Sequence, residues 1–391
     1  MSQPASASNP PSSAPGAPLT VRAITAVEHT EFLARHPLTS FLQNPSWARV
    51  KSEWRAQSLG IHRGDELVGA ALVLGRPLPV PSRVPVLGRA FLAYVADGPV
   101  LDEGVELVDA LTPLVAELKS QGAFLVRVGP PGVVRRWEAD VVRKALPDPE
   151  SSMLTDLPCE VSEDALRTQQ SLREAGWKEP EVSADFAAGQ PMFQARIPLE
   201  GLDVDGWLAR MSGSSRKRTR RSTRNDLDVV TAGPERLDDW DRLNDETAER
   251  DKFTGRPQDY FAKIIQNLGS SPIADVTFFL AEHEGEPVAA AFHFQQGQMA
   301  WRPYSASSQR ERQRDAPRLL QLKQVEAAIE AGCLWLDLGG VSGSVDQEHK
   351  LSGLTEFKTT QGADIVQTLG EWDLPLNRPL AKAFDVYMSR R

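Results

Sequence analysis

The chain is short of cysteine, of long apolar runs and of net positive charge, and each shortage closes off a class of protein. Only two cysteines, Cys159 and Cys333, occur in 391 residues. They form neither a disulfide framework nor a zinc ligand pattern. They read as buried thiols, which fits a reducing cytoplasm. No apolar stretch approaches the roughly 18 residues of a membrane span. The 6 histidines stand at spacings that suggest no metal site. There is no Gly-x-Ser-x-Gly elbow, and neither cysteine has an adjacent histidine motif. A covalent acyl-enzyme therefore has no support. The formal charge is -9, from 44 Lys+Arg against 53 Asp+Glu. That excludes a general nucleic-acid binder and stable DNA binding, so any polyanion must meet a local basic patch.

Residues 1–18 are rich in Ser, Pro and Ala, with no basic start and no apolar core. They are expected to form a disordered tail and not a signal peptide. The remaining length suits two domains of about 150 residues or more each. Apolar content of 41% and charged content of 25% are ordinary for a soluble globular protein.

Two stretches echo each other. His62-Arg63-Gly64-Asp65-Glu66 leads into an apolar run, and so does His283-Glu284-Gly285-Glu286. Each reads as a β-hairpin around a polar glycine turn. A helix around Leu114–Lys119 then reaches Gly122 and the strand Ala123–Val128. Likewise a helix over Leu319–Ile329 reaches Gly332 and the strand Cys333–Leu338. A glycine just past the last turn is a helix C-cap in both. Hairpin, helix and strand, twice in order, predict an α+β fold of two duplicated units with mixed sheets. The boundary falls near Gly189, before the strand Met192–Ile197.

This order resembles the fold of the acetyl-CoA-dependent N-acetyltransferases (the GNAT type). That fold holds a pyrophosphate on a glycine-rich turn at a helix N-terminus. The corresponding turn here is Arg312-Gln313-Arg314-Asp315-Ala316-Pro317. Asp315 suits an N-cap and Pro317 a first turn, but a carboxylate repels pyrophosphate and proline removes a donor. The expectation is a retained fold without a coenzyme A site and without any cofactor. An acyl-CoA-dependent N-acyltransferase is the alternative.

The basic run Arg216–Arg224 follows Ser214-Ser215, which are expected to cap a helix. Positions 217, 220, 221 and 224 share one face, where like charges repel unless an anion is present. A solvated basic face is the plainer reading. In an acidic chain, the phosphates of a nucleotide, a lipid diphosphate or a tRNA end are the natural partners. Trp47 and Lys51 stand four apart in a helix begun by Asn44-Pro45. Spacing alone favours a core tryptophan with a lysine stem laid along it.

In chain order the sequence carries Phe41-x-Gln43, Trp47 and Lys51, then Tyr94 and Gly98-Pro99-Val100. Next come Thr219-Arg220-Arg221 with Arg224, Arg250-Asp251-Lys252-Phe253, and Tyr304 to Ser308. Asp337-Leu338-Gly339-Gly340, Phe357-Lys358 and Gly370-Glu371-Trp372-Asp373 complete the set. Together they resemble the Fem family of aminoacyl-tRNA-dependent peptidyltransferases. The resemblance covers nearly the whole chain after the tail.

It implies two tandem acetyltransferase-like domains, at 19–189 and 190–368, with residues 369–391 returning to the first. It implies no coiled-coil arm, because no heptads stand between Arg224 and Arg250. The implied partners are an aminoacyl-tRNA donor and lipid II or UDP-MurNAc-pentapeptide as acceptor. Contact with the inner membrane surface would be transient, through the lipid substrate of a cytoplasmic enzyme. Relatives that aminoacylate a non-peptidoglycan amine keep a further acceptor class open.

By the same resemblance Lys358 stabilises the oxyanion or grips the tRNA end, and Phe357 shapes the site. Lys51 with Arg218 or Arg220 holds the acceptor diphosphate, beside Trp47, Thr219, Tyr94 and Tyr304. Asp337 is read as a turn residue before being read as a base, and Asp102 as a weaker base. Two departures from the family pattern, Ser305 and Gln361, bear on the shape of the acceptor pocket.

Overall fold

Each glycine-turn hairpin forms two neighbouring strands of one sheet. This computed structural model describes residues 17–78, 90–148, 151–183 and 189–388. Nearly all of the expected tail thus lies outside the described residues. The first part of the chain runs β1 (Leu19–Ala23), α1 (Ala26–Ala34), α2 (Trp47–Val50), β2 (Arg55–Arg63), β3 (Glu66–Pro77), β4 (Phe91–Val95), β5 (Val100–Leu101), α3 (Leu107–Ser120) and β6 (Ala123–Val128). A middle stretch follows with β7 (Val133–Trp137), α4 (Ala139–Ala145), β8 (Glu160–Val161), α5 (Glu163–Glu174) and β9 (Phe193–Pro198). Then come α6 (Val204–Arg210), α7 (Gly213–Ser222), β10 (Asp228–Ala232), α8 (Leu237–Asp251) and α9 (Gln258–Lys263). The last part holds β11 (Ala274–His283), β12 (Glu286–Gln296), β13 (Met299–Ser307), α10 (Ala316–Glu330), β14 (Trp335–Gly340), α11 (Ser352–Thr360), β15 (Asp364–Thr368), β16 (Trp372–Pro375) and α12 (Arg378–Met388).

The first sheet has the order β1-β2-β3-β4-β6-β16, with β5 also on β3. The second has the order β10-β11-β12-β13-β14-β9-β15-β7-β8. Only β4 with β6 and β13 with β14 run parallel, and both sheets are therefore mixed. Each parallel pair is joined by a helix, α3 or α10, as parallel strands require. Strands β7 and β8 precede residue 189 yet pair in the second sheet, while β16 pairs antiparallel with β6 in the first. Between Arg224 and Arg250 stand β10 and α8, with no pair of long helices. No helix among the described residues is long and apolar enough to cross a membrane.

The expected turns are realised as expected. Gly64 and Gly285 turn the two hairpins at φ 64 and 80, and Gly122 and Gly332 follow α3 and α10 at φ 98 and 71. Two capping details differ. Helix α7 is capped by Ser212, whose Oγ accepts from Ser215 N–H, so Ser214 and Ser215 lie inside it. Asp315 precedes α10 but caps nothing with its side chain.

A short segment pins one sheet to the other. The turn Phe41–Gln43 and α2 lie between them. Gln43 Nε2 donates to Ala96 O (2.5 Å), and its Oε1 accepts from Leu72 N–H (2.8 Å), both in the first unit. Asn44 Nδ2 donates to Ser271 Oγ (2.9 Å) and Gln296 Oε1 (2.8 Å) in the second. Phe41 presents its ring edge-on to Trp47, Phe294 and Trp301 at 5.0–5.1 Å. Buried amides of this kind stabilise only as a satisfied set. Asn44→Ala is expected to cost about 1–3 kcal/mol, because Gln296 and Ser271 keep their desolvation and lose their partner. Urea denaturation measures it, and an unchanged midpoint would refute the pinning role.

Candidate functional site

Strand β13 separates two clefts. Tyr304 lines one cleft while Arg302 and Ser305 line the other. Simple alternation would put Arg302 and Tyr304 on one face, and the extra residue of β13 opposite Phe292–Phe294 breaks it.

The cleft between the sheets has a volume of about 680 Å³. It gathers Trp47, Lys51, Tyr94 and Tyr304. Lys51 follows the single turn of α2, and Lys51 N–H bonds Trp47 O (3.0 Å), which puts both side chains on one side. Lys51 Nζ lies 4.9 Å from the Tyr260 ring centre and 5.7 Å from that of Trp47. Arg256 Cζ lies 4.9 Å from the same Tyr260 ring. Neither cation has a carboxylate within ion-pair distance among the described residues. Burial pushes the Lys51 ammonium below its ordinary value, and the charge of Arg256 pushes the same way, against Glu53. Two cations around one ring, without an ion pair among the described residues, have the chemistry to hold an anion.

Deeper in, the Tyr304 and Tyr260 hydroxyls bond each other at 3.0 Å, and burial raises both phenols. The Tyr94 hydroxyl donates to the Glu371 carboxylate, which also accepts from Gln190 N–H (3.0 Å). Burial raises the Glu371 carboxyl, against these hydrogen bonds and against Arg127. Glu371 also lines a cavity of about 380 Å³ with Asp97, Arg196, Trp301 and Trp335.

The second cleft, of about 490 Å³, opens under α10 and α11. It gathers Lys358, Phe357, Arg218, Arg302 and Arg318. Lys358 is 9% exposed and donates through Nζ to Gly340 O at 2.7 Å. Burial pushes it down to about 7; Asp337 opposes this and Arg302 adds to it. Arg302 Nε and Arg318 Nη1 are buried without a hydrogen-bond partner. Phe357 is 40% exposed, with Arg318 Cζ 5.9 Å from its ring centre.

At the head of α10 the buried Asp315 carboxylate accepts from Arg218 Nε (3.0 Å) and Arg221 Nη2 (2.8 Å), with Arg318 at 3.9 Å. Burial works to raise this carboxyl, and the arginine hydrogen bonds outweigh it and hold it low. The chain's own carboxylate thus occupies the helix head that would draw a pyrophosphate.

Other expected residues stand elsewhere. Arg220 pairs on the surface with Asp205 (3.2 Å), and Thr219 lies on the buried face of α7; neither lines either of the two clefts. Lys51 and Arg218 line different clefts, so the expected joint grip on one diphosphate is not formed. The partner that shares Tyr260 with Lys51 is Arg256 instead. Asp102 pairs with His36 Nε2 (2.9 Å). Asp337 accepts from Gly339 N–H (2.6 Å) and Arg196 Nε (3.0 Å), the bonds of a turn residue. No cluster of three metal-ligating side chains stands among the described residues. Sequence reading missed Arg256, Tyr260 and Arg302, and it held Glu371 only as a member of the Gly370–Asp373 motif, without a role. Arg302 left one signal, a lone cation in the apolar run Met299–Tyr304.

The cleft under α10 and the 380 Å³ cavity, which shares Gln190 and Glu371 with the inter-sheet cleft, lie on either side of the place where the second sheet opens. Strands β13 and β14 pair only from Met299/Trp335 to Trp301/Asp337. Beyond that point β13 continues to Ser307 while β14 bends at Gly339, φ 81. Arg302, Leu338 and Lys358 line the opening from one side; Trp301 and Trp335 line it from the other.

Two mixed sheets, each with one parallel pair joined by a crossover helix and the second pair splayed, are the tandem acetyltransferase-like class of fold. A solved tandem GNAT protein from the clavulanic acid biosynthesis pathway shares it, with a TM-score of 0.50 over 92% of this chain and 98% of that one, at 12% identity. A crystal structure of FemX agrees more fully, with a TM-score of 0.75 over 93% of this chain and 99% of that one, at 21% identity. The FemAB family model matches residues 24–283 and 270–388; the chain belongs to the FemAB family and is a transferase. Curated relatives include the lipid II:glycine glycyltransferases of Staphylococcus saprophyticus and Staphylococcus aureus. They are 23% and 24% identical, each over 91% of this chain and 93% of the relative.

The buried amine of Lys358 has a measurable signature. A lysine depressed from 10.5 to about 7 makes stability rise with pH wherever the unfolded chain is protonated and the folded one is not. The cost is full below about pH 7 and fades as pH rises toward 10.5. Lys358→Met is therefore expected to stabilise the fold more at pH 6.5 than at pH 9.5, by a few kcal/mol in the difference at about 1.4 kcal/mol per pH unit. Equal differences at the two pH values in guanidinium titrations would show the amine to be ordinary.

Proposed function

We propose that the protein transfers an amino acid from aminoacyl-tRNA to an amine of the peptidoglycan precursor's stem peptide, carried on lipid II or UDP-MurNAc-pentapeptide, and so builds the interpeptide bridge. The observation that carries this reading is the pair of cation-lined clefts on opposite faces of one splayed strand. The names of the curated relatives support the lipid II acceptor. In this reading the division at Gly189 marks the repeat, and sheet membership crosses it at β7, β8 and β16.

The inter-sheet cleft takes the acceptor, with its diphosphate on Lys51 and Arg256 and its peptide past Tyr304 and Tyr94. The cleft under α10 takes the charged tRNA end. The acceptor amine attacks the ester carbonyl through the opening between β13 and β14. The C–N bond forms, the ester C–O bond breaks, and the amine proton ends on the released ribose hydroxyl. Lys358, in its protonated form, and Arg302 face the oxyanion that develops between these events. Alignment does the rest, since the ester is already activated. Acyl transfer from coenzyme A is the weaker reading, because Asp315 already fills the helix head.

The direct test incubates the protein with a mixture of charged tRNAs and muropeptide acceptors and reads the product mass. Lys358→Ala is expected to lower turnover on the order of a hundredfold or more, and near wild-type turnover by the folded variant would defeat its role. Lys51→Ala and Arg256→Ala are each expected to raise the acceptor KM roughly tenfold with donor affinity intact. The double variant should lose less than the product of the two, because both serve one anion. Full additivity would separate them.

A further inference from the structure

We propose that the end of the inter-sheet cleft formed by Trp54, Leu92, Phe384 and Met388 is a seat for the first isoprenoid units of a polyprenyl diphosphate. It would select a lipid-linked acceptor over a nucleotide-linked one. The inference rests on the reading of Lys51 and Arg256 as ligands of the acceptor diphosphate.

The cleft is polar at one end and apolar at the other. Lys51, Arg256 and Tyr260 form the cationic end. Trp54 stands just beyond Lys51, and its N–H bonds Lys51 O (2.9 Å). Its ring lies 6.1 Å from that of Tyr94. From there the wall is built by β3, β4 and α12, through Leu74, Leu92, Phe384 and Met388. Helix α12 buries Ala381 and Phe384, and Phe384 meets Phe124 at 5.5 Å between ring centres. Arg76 joins the two ends: its Cζ lies 5.6 Å from the Trp54 ring centre and 5.8 Å from that of Phe384. It has no carboxylate within ion-pair distance among the described residues.

Charge and shape together select the occupant. Three cations without ion pairs suit a diphosphate. The wall past Trp54 carries Leu74, Leu92, Phe384 and Met388 with Arg76 and Asp385 among them, while Tyr94, Arg127, Gln190 and Glu371 also line the cleft. A nucleobase needs partners for the donors and acceptors of its edge, whereas an isoprenoid needs only apolar surface. The wall supplies the second.

The test uses the full chain and three probes: inorganic pyrophosphate, geranyl diphosphate and uridine diphosphate. Calorimetric titration is expected to show geranyl diphosphate binding roughly tenfold tighter than pyrophosphate, from its added apolar burial. The ratio should fall below about threefold in Phe384→Ala and in Met388→Gln, the latter on a half-buried residue in the last turn of α12 that puts little packing at risk. A wild-type ratio near one, or a ratio unchanged in both variants, overturns the seat. So does a gain by uridine diphosphate that equals that of geranyl diphosphate and disappears in the same variants, because a nucleoside then occupies the wall. Lys51→Ala is expected to weaken all three probes. If it weakens none while the geranyl advantage persists, the diphosphate assignment of the proposed function fails and the inference built on it falls with it.

Discussion

Strands β13 and β14 stop pairing after Trp301 and Asp337, and the chemistry of the second unit follows from that gap. The parting has a local cause. Arg196 on β9 and the Gly339 N–H both hold the Asp337 carboxylate, and Gly339 turns the chain at φ 81. Only a glycine adopts that backbone without strain. A splayed strand leaves carbonyls without a ladder partner, and a buried carbonyl requires one. Lys358 supplies it, through Nζ to Gly340 O. The bond that repairs the sheet is thus the bond that holds an amine in a dry place. Its depressed basicity is a consequence of the fold before it is a property of any reaction.

The charge distribution follows the same logic at larger scale. The chain is acidic overall, at -9, yet cations collect in both clefts. Burying guanidinium groups near one another is unfavourable unless anions answer them. Around Asp315 the chain provides the anion itself, and Arg218 and Arg221 are fixed on the side of α7 that faces α10. Around Tyr260 no carboxylate stands within ion-pair distance of Lys51 or Arg256 among the described residues, and Glu53 answers Lys51 only through its more distant charge. The Asp315 carboxylate is therefore matched by arginines of this chain, whereas the charges around Tyr260 are matched less closely.

The legible part of the sequence was the part set by local chemistry. Glycine turns, the two crossover helices and the spacing of Trp47 and Lys51 all depend on residues a few positions apart. Strand β14 was expected two residues early, since Cys333-Leu334 continues the apolar run that Trp335 begins. The register of α7 was out of reach from sequence, because Arg218, Arg220 and Arg221 are the same residue type. Only the position of Asp315, nearly a hundred residues on, distinguishes them. Arg256 escaped for the same reason. It meets Lys51 across the interface of two sheets, and no periodicity connects residues so far apart in the chain. The membership of β7 and β8 in the second sheet likewise follows from β15 offering an edge, which the hydrophobic pattern of residues 133–137 does not reveal.

Two clefts back to back solve a problem that one cleft would create. On the proposed reading both substrates are polyanions, a tRNA end and a diphosphate. In a shared cavity their phosphates would repel each other at the distance needed for reaction. Strand β13 sets a low-dielectric wall between them and gives each its own cations. Only the neutral reacting groups, an ester carbonyl and an unprotonated amine, need to meet in the opening beyond Trp301. Desolvation favours that neutral amine, as it favours neutral Lys358. The binding charges can then be strong without opposing the approach of the two substrates, and the two cations at the opening, Lys358 and Arg302, are left to answer the charge that appears during transfer.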